Sequence, residues 1–79
     1  FPCLTLADVA LNRGGNSACV INAANEIAVA AYLRDRIGFY DIYRIICETL
    51  DRCDFIASPG LSDYIQTNQT AREIAGSLL

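Results

Sequence analysis

The sequence predicts an all-α fold, a small up-and-down bundle of about four helices, and three observations carry that expectation. The longest apolar run, ACVINAANEIAVAAYL from Ala18 to Leu33, contains neither Gly nor Pro. Roughly sixteen such residues stay helical over about 24 Å at 1.5 Å per residue, whereas a strand of that length is unusual. Between Asp41 and Cys53, apolar residues recur with helical spacing. Turn signals at Gly14-Gly15, Gly38 and Ser58-Pro59-Gly60 then divide the chain into segments of helical length.

In chain order, Phe1-Pro2 reads as a helix entrance, because Pro lacks the N–H that a first-turn position leaves unpaired. Leu4, Ala7, Ala10 and Leu11 give the first helix its apolar stripe, opposite Thr5, Asp8 and Asn12. Gly14-Gly15 ends it, since Gly adopts the left-handed conformation without steric penalty. Asn16 or Ser17 is the expected cap of the central helix. Around that helix Asn22, Asn25 and Glu26 share one sector, and Ile21, Ala23, Ala24, Ile27, Ala28, Ala30 and Ala31 fill the rest. A helix so widely apolar is expected to be surrounded by protein. It ends near Leu33 to Arg36, with Arg34 and Arg36 suited to the negative end of the helix dipole and Gly38 turning the chain.

The third helix is expected from about Asp41 to Cys53. Ile42, Ile45, Ile46, Leu50 and Cys53 form its inner face, and the pairs Arg44–Glu48 and Glu48–Arg52 mark the wet one. Asp54 to Gly60 is a connection. Ser62 then caps a single turn, Asp63 to Gln66, and a last helix starts after Thr67 or after Thr70, whose T-A-R-E is a capping-box pattern. Ala71, Ile74, Ala75 and Leu78 are its inner stripe. The 79 residues therefore form one helical domain.

Such a chain buries only about 60–65% of its unfolded surface, yet 53% of its residues are hydrophobic. This points to an apolar face meant for something beyond these residues. The chain begins with Phe1, has no Met and carries no signal-like leader, and is expected to be a piece of a longer protein. Nine acidic residues face six dispersed arginines, a net charge of −3. Nucleic-acid binding, which needs a basic patch, is disfavoured, as is attachment to a membrane surface. Cys3, Cys19, Cys47 and Cys53 include no C-x-x-C pair and His is absent, so the zinc spacing fails. Reduced, cytosolic core cysteines are expected.

Candidate chemistry is sparse. Asn22, Asn25 and Glu26 form a polar notch on an apolar helix, but one carboxylate without a second acid, a His or a Lys is a poor acid–base site. The notch is expected to organise loops or to contact another domain. Gly14-Gly15 follows a helix rather than a strand and lacks both G-x-G-x-x-G and the P-loop Lys, so it is a helix terminator. The four tyrosines have no basic companions and are expected at bundle edges.

The ordered set FPCLTLADVAL, the Gly-Gly turn, VINAANEIAVAAYL, DRIGFYDI and TAREIA resembles the C-terminal part of the 1-deoxy-D-xylulose 5-phosphate reductoisomerase family over nearly the whole chain. The resemblance is strongest at Asn22 to Glu26 and at Ile37 to Ile42. It implies a parent enzyme that makes 2-C-methyl-D-erythritol 4-phosphate for isoprenoid precursor synthesis, by rearrangement and NADPH-dependent reduction assisted by a divalent metal, Mg or Mn. The family's nucleotide motif, metal ligands and substrate-holding residues lie upstream, so no catalytic, cofactor-binding or metal residue is assigned within these 79 residues. The implied partners are the upstream catalytic and NADPH-binding domains, in a homodimeric parent in the cytoplasm, or in the plastid of a plant. The implied fold is a helical bundle that begins near a connecting arm and serves as a structural buttress without activity alone. Two departures bear on stability: Tyr40 stands where a capping Thr is common, and Asn68 where the family often has Asp at a helix N-terminus. The competing readings are a free-standing helical interaction module that offers an apolar groove to a partner helix, and a small metal or redox module built on the four cysteines.

Overall fold

The computed structural model describes residues 14–79. Within them the chain is helical, with α1 over Ser17–Leu33, α2 over Phe39–Arg52 and α3 over Leu61–Ser77. The expected first helix, Leu4 to Leu11, and Cys3 lie outside the described residues. The start of α1 is bonded to the loop after α2 and to Thr67 of α3, and Glu26 of α1 reaches Arg72 further along α3. Hence α1 and α3 run in the same direction and α2 runs against both, the up-and-down arrangement that the short connections predict.

Small side chains bring α1 and α3 together. Ala24 and Ala28 of α1 meet Ala75 of α3, with Ile45 and Ile46 of α2 wedged against them. Toward the other end Val20 and Ala23 meet Ala71 and Leu50. Alanines four apart on two helices shorten the interaxial distance, because that distance is set by the side chains at the contact. The isoleucines and Leu50 then supply the volume that the alanines lack. The buried hydroxyl of Thr49 is satisfied by the Ile45 carbonyl at 2.7 Å.

Contrary to the expectation of a fully surrounded helix, α1 keeps one exposed stripe, Ala18, Asn22, Asn25, Glu26 and Leu33. Positions 4, 7, 8 and about 15 residues along a helix fall on one side; Ala30 and Tyr32 are also exposed toward the helix end, and α2 and α3 pack against the buried side. The helix ends at Leu33 with Arg34 as its C-cap residue and Arg36 two residues on, at the negative end of the dipole as expected. The Asp35 N–H reaches the Tyr32 carbonyl and the Arg36 N–H reaches that of Ala31, each at 3.0 Å. This is a Schellman closure in which Asp35, at φ 59°, takes the left-handed position usually given to Gly.

Gly38 is not the turning residue either. It precedes α2, and its N–H donates to the Asp41 carboxylate at 2.9 Å. Capping from Asp41 places the start of α2 at Phe39, two residues early, and removes the expected weakness at Tyr40, which lies inside the helix. The same device recurs at α3, where the Gly60 N–H donates to Asp63 at 3.0 Å. As a result α3 is one continuous helix from Leu61, not a capped turn followed by a second start at Thr67 or Thr70. Thr67 faces inward in mid-helix, and Thr70 accepts from the Gln66 side chain at 3.2 Å. Asn68 is likewise interior to the helix, accepting from Arg72 at 3.1 Å, so a dipole argument does not apply to it. The expected pairs of Glu48 with Arg44 and Arg52 are present at 3.6 and 3.9 Å.

Both Gly14 and Gly15 are left-handed, at φ 63° and 56°. A Cβ on Gly14 meets nothing, whereas one on Gly15 overlaps the Ile56 carbonyl oxygen. Gly14→Ala is therefore expected to cost about 1–2 kcal/mol from backbone conformation alone. Gly15→Ala adds the displacement of the 54–56 loop, about 1–3 kcal/mol more. Urea unfolding of the two variants, followed by circular dichroism, measures the difference, and equal losses contradict the contact.

Candidate functional site

The polar sector predicted on α1 is in the open. Asn22, Asn25 and Glu26 are all exposed. The Asn22 carboxamide donates to Glu26 at 3.2 Å, and the other Glu26 oxygen accepts from the Arg72 guanidinium at 3.1 Å. Arg72 donates in turn to Asn68. The structure thus joins Asn22 and Glu26 with Arg72 and Asn68 of α3, and leaves the Asn25 side chain outside the network. Asn22 lies one turn before Glu26 on the same face, but Arg72 and Asn68 were invisible to sequence reasoning, since nothing local pairs positions 46 residues apart.

This arrangement is a strap across two helices rather than a reacting centre. The network holds a single carboxylate, with no second acid, His or Lys beside it to share acid–base work. As an exposed ion pair it contributes at most about 1 kcal/mol.

A heavier polar constellation lies at the start of α1 and was read from the sequence only as a helix cap. Asn16 is 2% exposed. Its side chain does not cap α1. Instead its amide nitrogen donates to the Asp54 carbonyl at 2.9 Å and to Thr67 Oγ1 at 3.1 Å, and its oxygen accepts from the Ile56 N–H at 3.0 Å. The Asn16 N–H adds a bond to the Ile56 carbonyl at 3.1 Å. One residue thereby holds the α2–α3 loop and the middle of α3 to the first turn of α1. A cleft of about 100 Å³ beside it is lined by Cys53, Asp54, Ile56, Gln66, Thr67 and Thr70, well below the roughly 300 Å³ at which ligand pockets begin.

The described thiols, Cys19, Cys47 and Cys53, are free and half-buried, at the rim of the core rather than within it. Cys19 donates to the Tyr64 carbonyl at 3.7 Å. Burial pushes the Cys53 thiol up, with smaller contributions from the Asp54 charge and from Cys19. The Tyr43 phenol is raised chiefly by its hydrogen bond with Cys47. Among the described residues no three His, Cys, Asp or Glu side chains are placed to hold a metal ion. Several carboxylates already have other work, Asp41 and Asp63 on backbone N–H groups and Glu26 and Glu48 on arginines. These donors do not fit a divalent metal, and the cleft does not fit a dinucleotide. No described helix is long and apolar enough to cross a membrane.

Two outcomes follow. Asn16→Ala strands the Asp54 and Ile56 backbone groups and the Thr67 hydroxyl, and is expected to lower unfolding stability by about 2–4 kcal/mol in urea, against less than about 1 kcal/mol for Glu26→Gln. A thiol raised in the folded state favours folding at lower pH and loses that contribution as pH rises. Stability is therefore expected to fall as pH climbs through the thiol range, and less so in Cys53→Ala, as measured by urea unfolding across that range.

Comparison with known proteins extends the picture beyond these helices. A family described as DXP reductoisomerase C-terminal domain matches residues 1–74. A 1-deoxy-D-xylulose 5-phosphate reductoisomerase from Bacteroides thetaiotaomicron is 47% identical over 79 residues, covering 100% of this chain and 20% of the relative. The reductoisomerase of Porphyromonas gingivalis is 43% identical over the same span and again 20% of its own length. That of Aromatoleum aromaticum is 47% identical over 77 residues, 98% of this chain and 19% of the relative. The chain thus spans about a fifth of the length of these relatives. No solved structure matches at a significant level. With the residue order intact from the Phe1-Pro2 start through the α3 sequence, the chain belongs to the DXP reductoisomerase C-terminal domain family.

Proposed function

We propose that this chain is the C-terminal helical domain of a 1-deoxy-D-xylulose 5-phosphate reductoisomerase and that its role there is architectural. The observation that carries the reading is the match over residues 1–74, with 43–47% identity to reductoisomerases along the chain and only about a fifth of their length covered. The remaining four-fifths then has to supply the rearrangement and NADPH-dependent reduction to 2-C-methyl-D-erythritol 4-phosphate. It also has to supply the residues that bind NADPH and a divalent Mg or Mn ion. The parent is read as a homodimeric, cytoplasmic enzyme of isoprenoid precursor synthesis, or a plastid enzyme in a plant.

The bundle suits a buttress. Among the described residues Asp41 and Asp63 serve as caps and Glu26, Glu48 and Arg72 as straps, the buried Asn16 side chain fixes the bundle's own loop, and the α1 sector with Asn22, Asn25 and Glu26 remains available for a domain contact. Deleting this domain from the full-length enzyme is expected to abolish or sharply reduce NADPH oxidation with 1-deoxy-D-xylulose 5-phosphate, while the 79-residue chain alone gives no NADPH-binding heat in calorimetry. Full activity of the truncated enzyme, or clear NADPH binding by the 79-residue chain, overturns the reading.

A further inference from the structure

At the turn between α1 and α2 the chain exposes Tyr32, Leu33, Phe39 and Tyr40 side by side. Leu33 is 74%, Phe39 66% and Tyr40 87% exposed. The rings are ordered against one another. Tyr32 meets Phe39 edge-on at 5.9 Å between centroids, and Phe39 meets Tyr40 in the same way at 5.9 Å. Arg34 and Arg36 border the cluster, both exposed, and neither forms an ion pair among the described residues. Contiguous aromatics in contact, rimmed by free arginines, have the composition of an interface centre rather than of ordinary protein surface.

We infer that this aromatic face is where the bundle seats against the rest of the same polypeptide in the longer reductoisomerase, on an apolar socket with carboxylates at its edge. The inference rests on the domain role proposed above. Two observations select this occupant. The relatives are about five times as long as this chain, and a tethered neighbour meets the face at a high effective concentration that no free partner matches. A second copy of the chain is disfavoured by charge. A two-fold contact brings the same patch onto itself, and with it Arg34 and Arg36, which outnumber the one acid between them, Asp35, against their own copies. The rings are already held edge-on by one another, so seating costs little side-chain entropy.

Hydroxyl-radical footprinting of native side chains, read by peptide mass spectrometry, tests this without disturbing the fold. Tyr32, Phe39 and Tyr40 are expected to label about fivefold more slowly in the full-length enzyme than in the 79-residue chain, as for side chains desolvated at an interface centre. Tyr40→Asp in the full-length enzyme is expected to return Tyr32 and Phe39 toward the faster rate. An acidic residue in the first turn favours the helix, so circular dichroism of the 79-residue chain carrying this change stays the same. Equal labelling in the two proteins overturns the inference. So does labelling of the 79-residue chain that falls as its concentration rises, which assigns the face to a second copy. Rings that label equally in an enzyme that needs the domain for activity reject the surface alone, whereas full activity without the domain rejects the role and the surface together.

Discussion

The carboxamide of Asn16 is the junction on which the rest of the described bundle depends. A primary amide offers two donors and an acceptor from one planar group, and here they are divided between the two ends of the α2–α3 loop's first half and the interior of α3. Burial makes the division consequential, because each partner would otherwise lose water without gaining a bond. The two left-handed glycines just before it let the backbone reach this position, and Gly15 has no Cβ because the Ile56 carbonyl occupies that space. Loop, helix start and third helix are thus set together by a few consecutive residues.

From that junction the packing follows. Once α3 is held parallel to α1, the small residues Ala71 and Ala75 face Ala23, Ala24 and Ala28, and the close approach leaves room for Ile45, Ile46 and Leu50 on the third side. The Glu26–Arg72 strap lies further along the same pair of helices and holds the outer edge. The apolar material that the core does not absorb is displayed at the α1–α2 turn, where Tyr32, Leu33, Phe39 and Tyr40 stand out from the bundle. An apolar surplus in a chain covering about a fifth of its relatives' length is consistent with a domain whose stability is shared with its neighbours.

Helix starts show a division of labour between glycine and aspartate. Gly38 and Gly60 have extended backbone conformations before their helices, and Asp41 and Asp63, three residues on, reach back to their N–H groups. The carboxylates thereby serve both an otherwise unpaired donor and the positive end of the helix dipole. Spending acids in this way removes them from chemistry, which agrees with a scaffold.

The sequence by itself determined the helical class, the core stripes of α2 and α3, the wet face with Glu48 between two arginines, and the family, because all of these are written in local periodicity, turn residues and ordered motifs. It also brought Asn22 and Glu26 together, since four residues make one helical turn. Only the tertiary structure decided that Asn16 and Thr67 bond each other rather than cap helices, that α3 is unbroken from Leu61, that α1 keeps an exposed face, and that Cys19, Cys47 and Cys53 sit at the core's rim. The reason is the same throughout. A capping residue and a buried cross-link use the same side chains, and which role a side chain takes depends on what the distant chain puts within 3 Å of it, a quantity that local spacing does not contain.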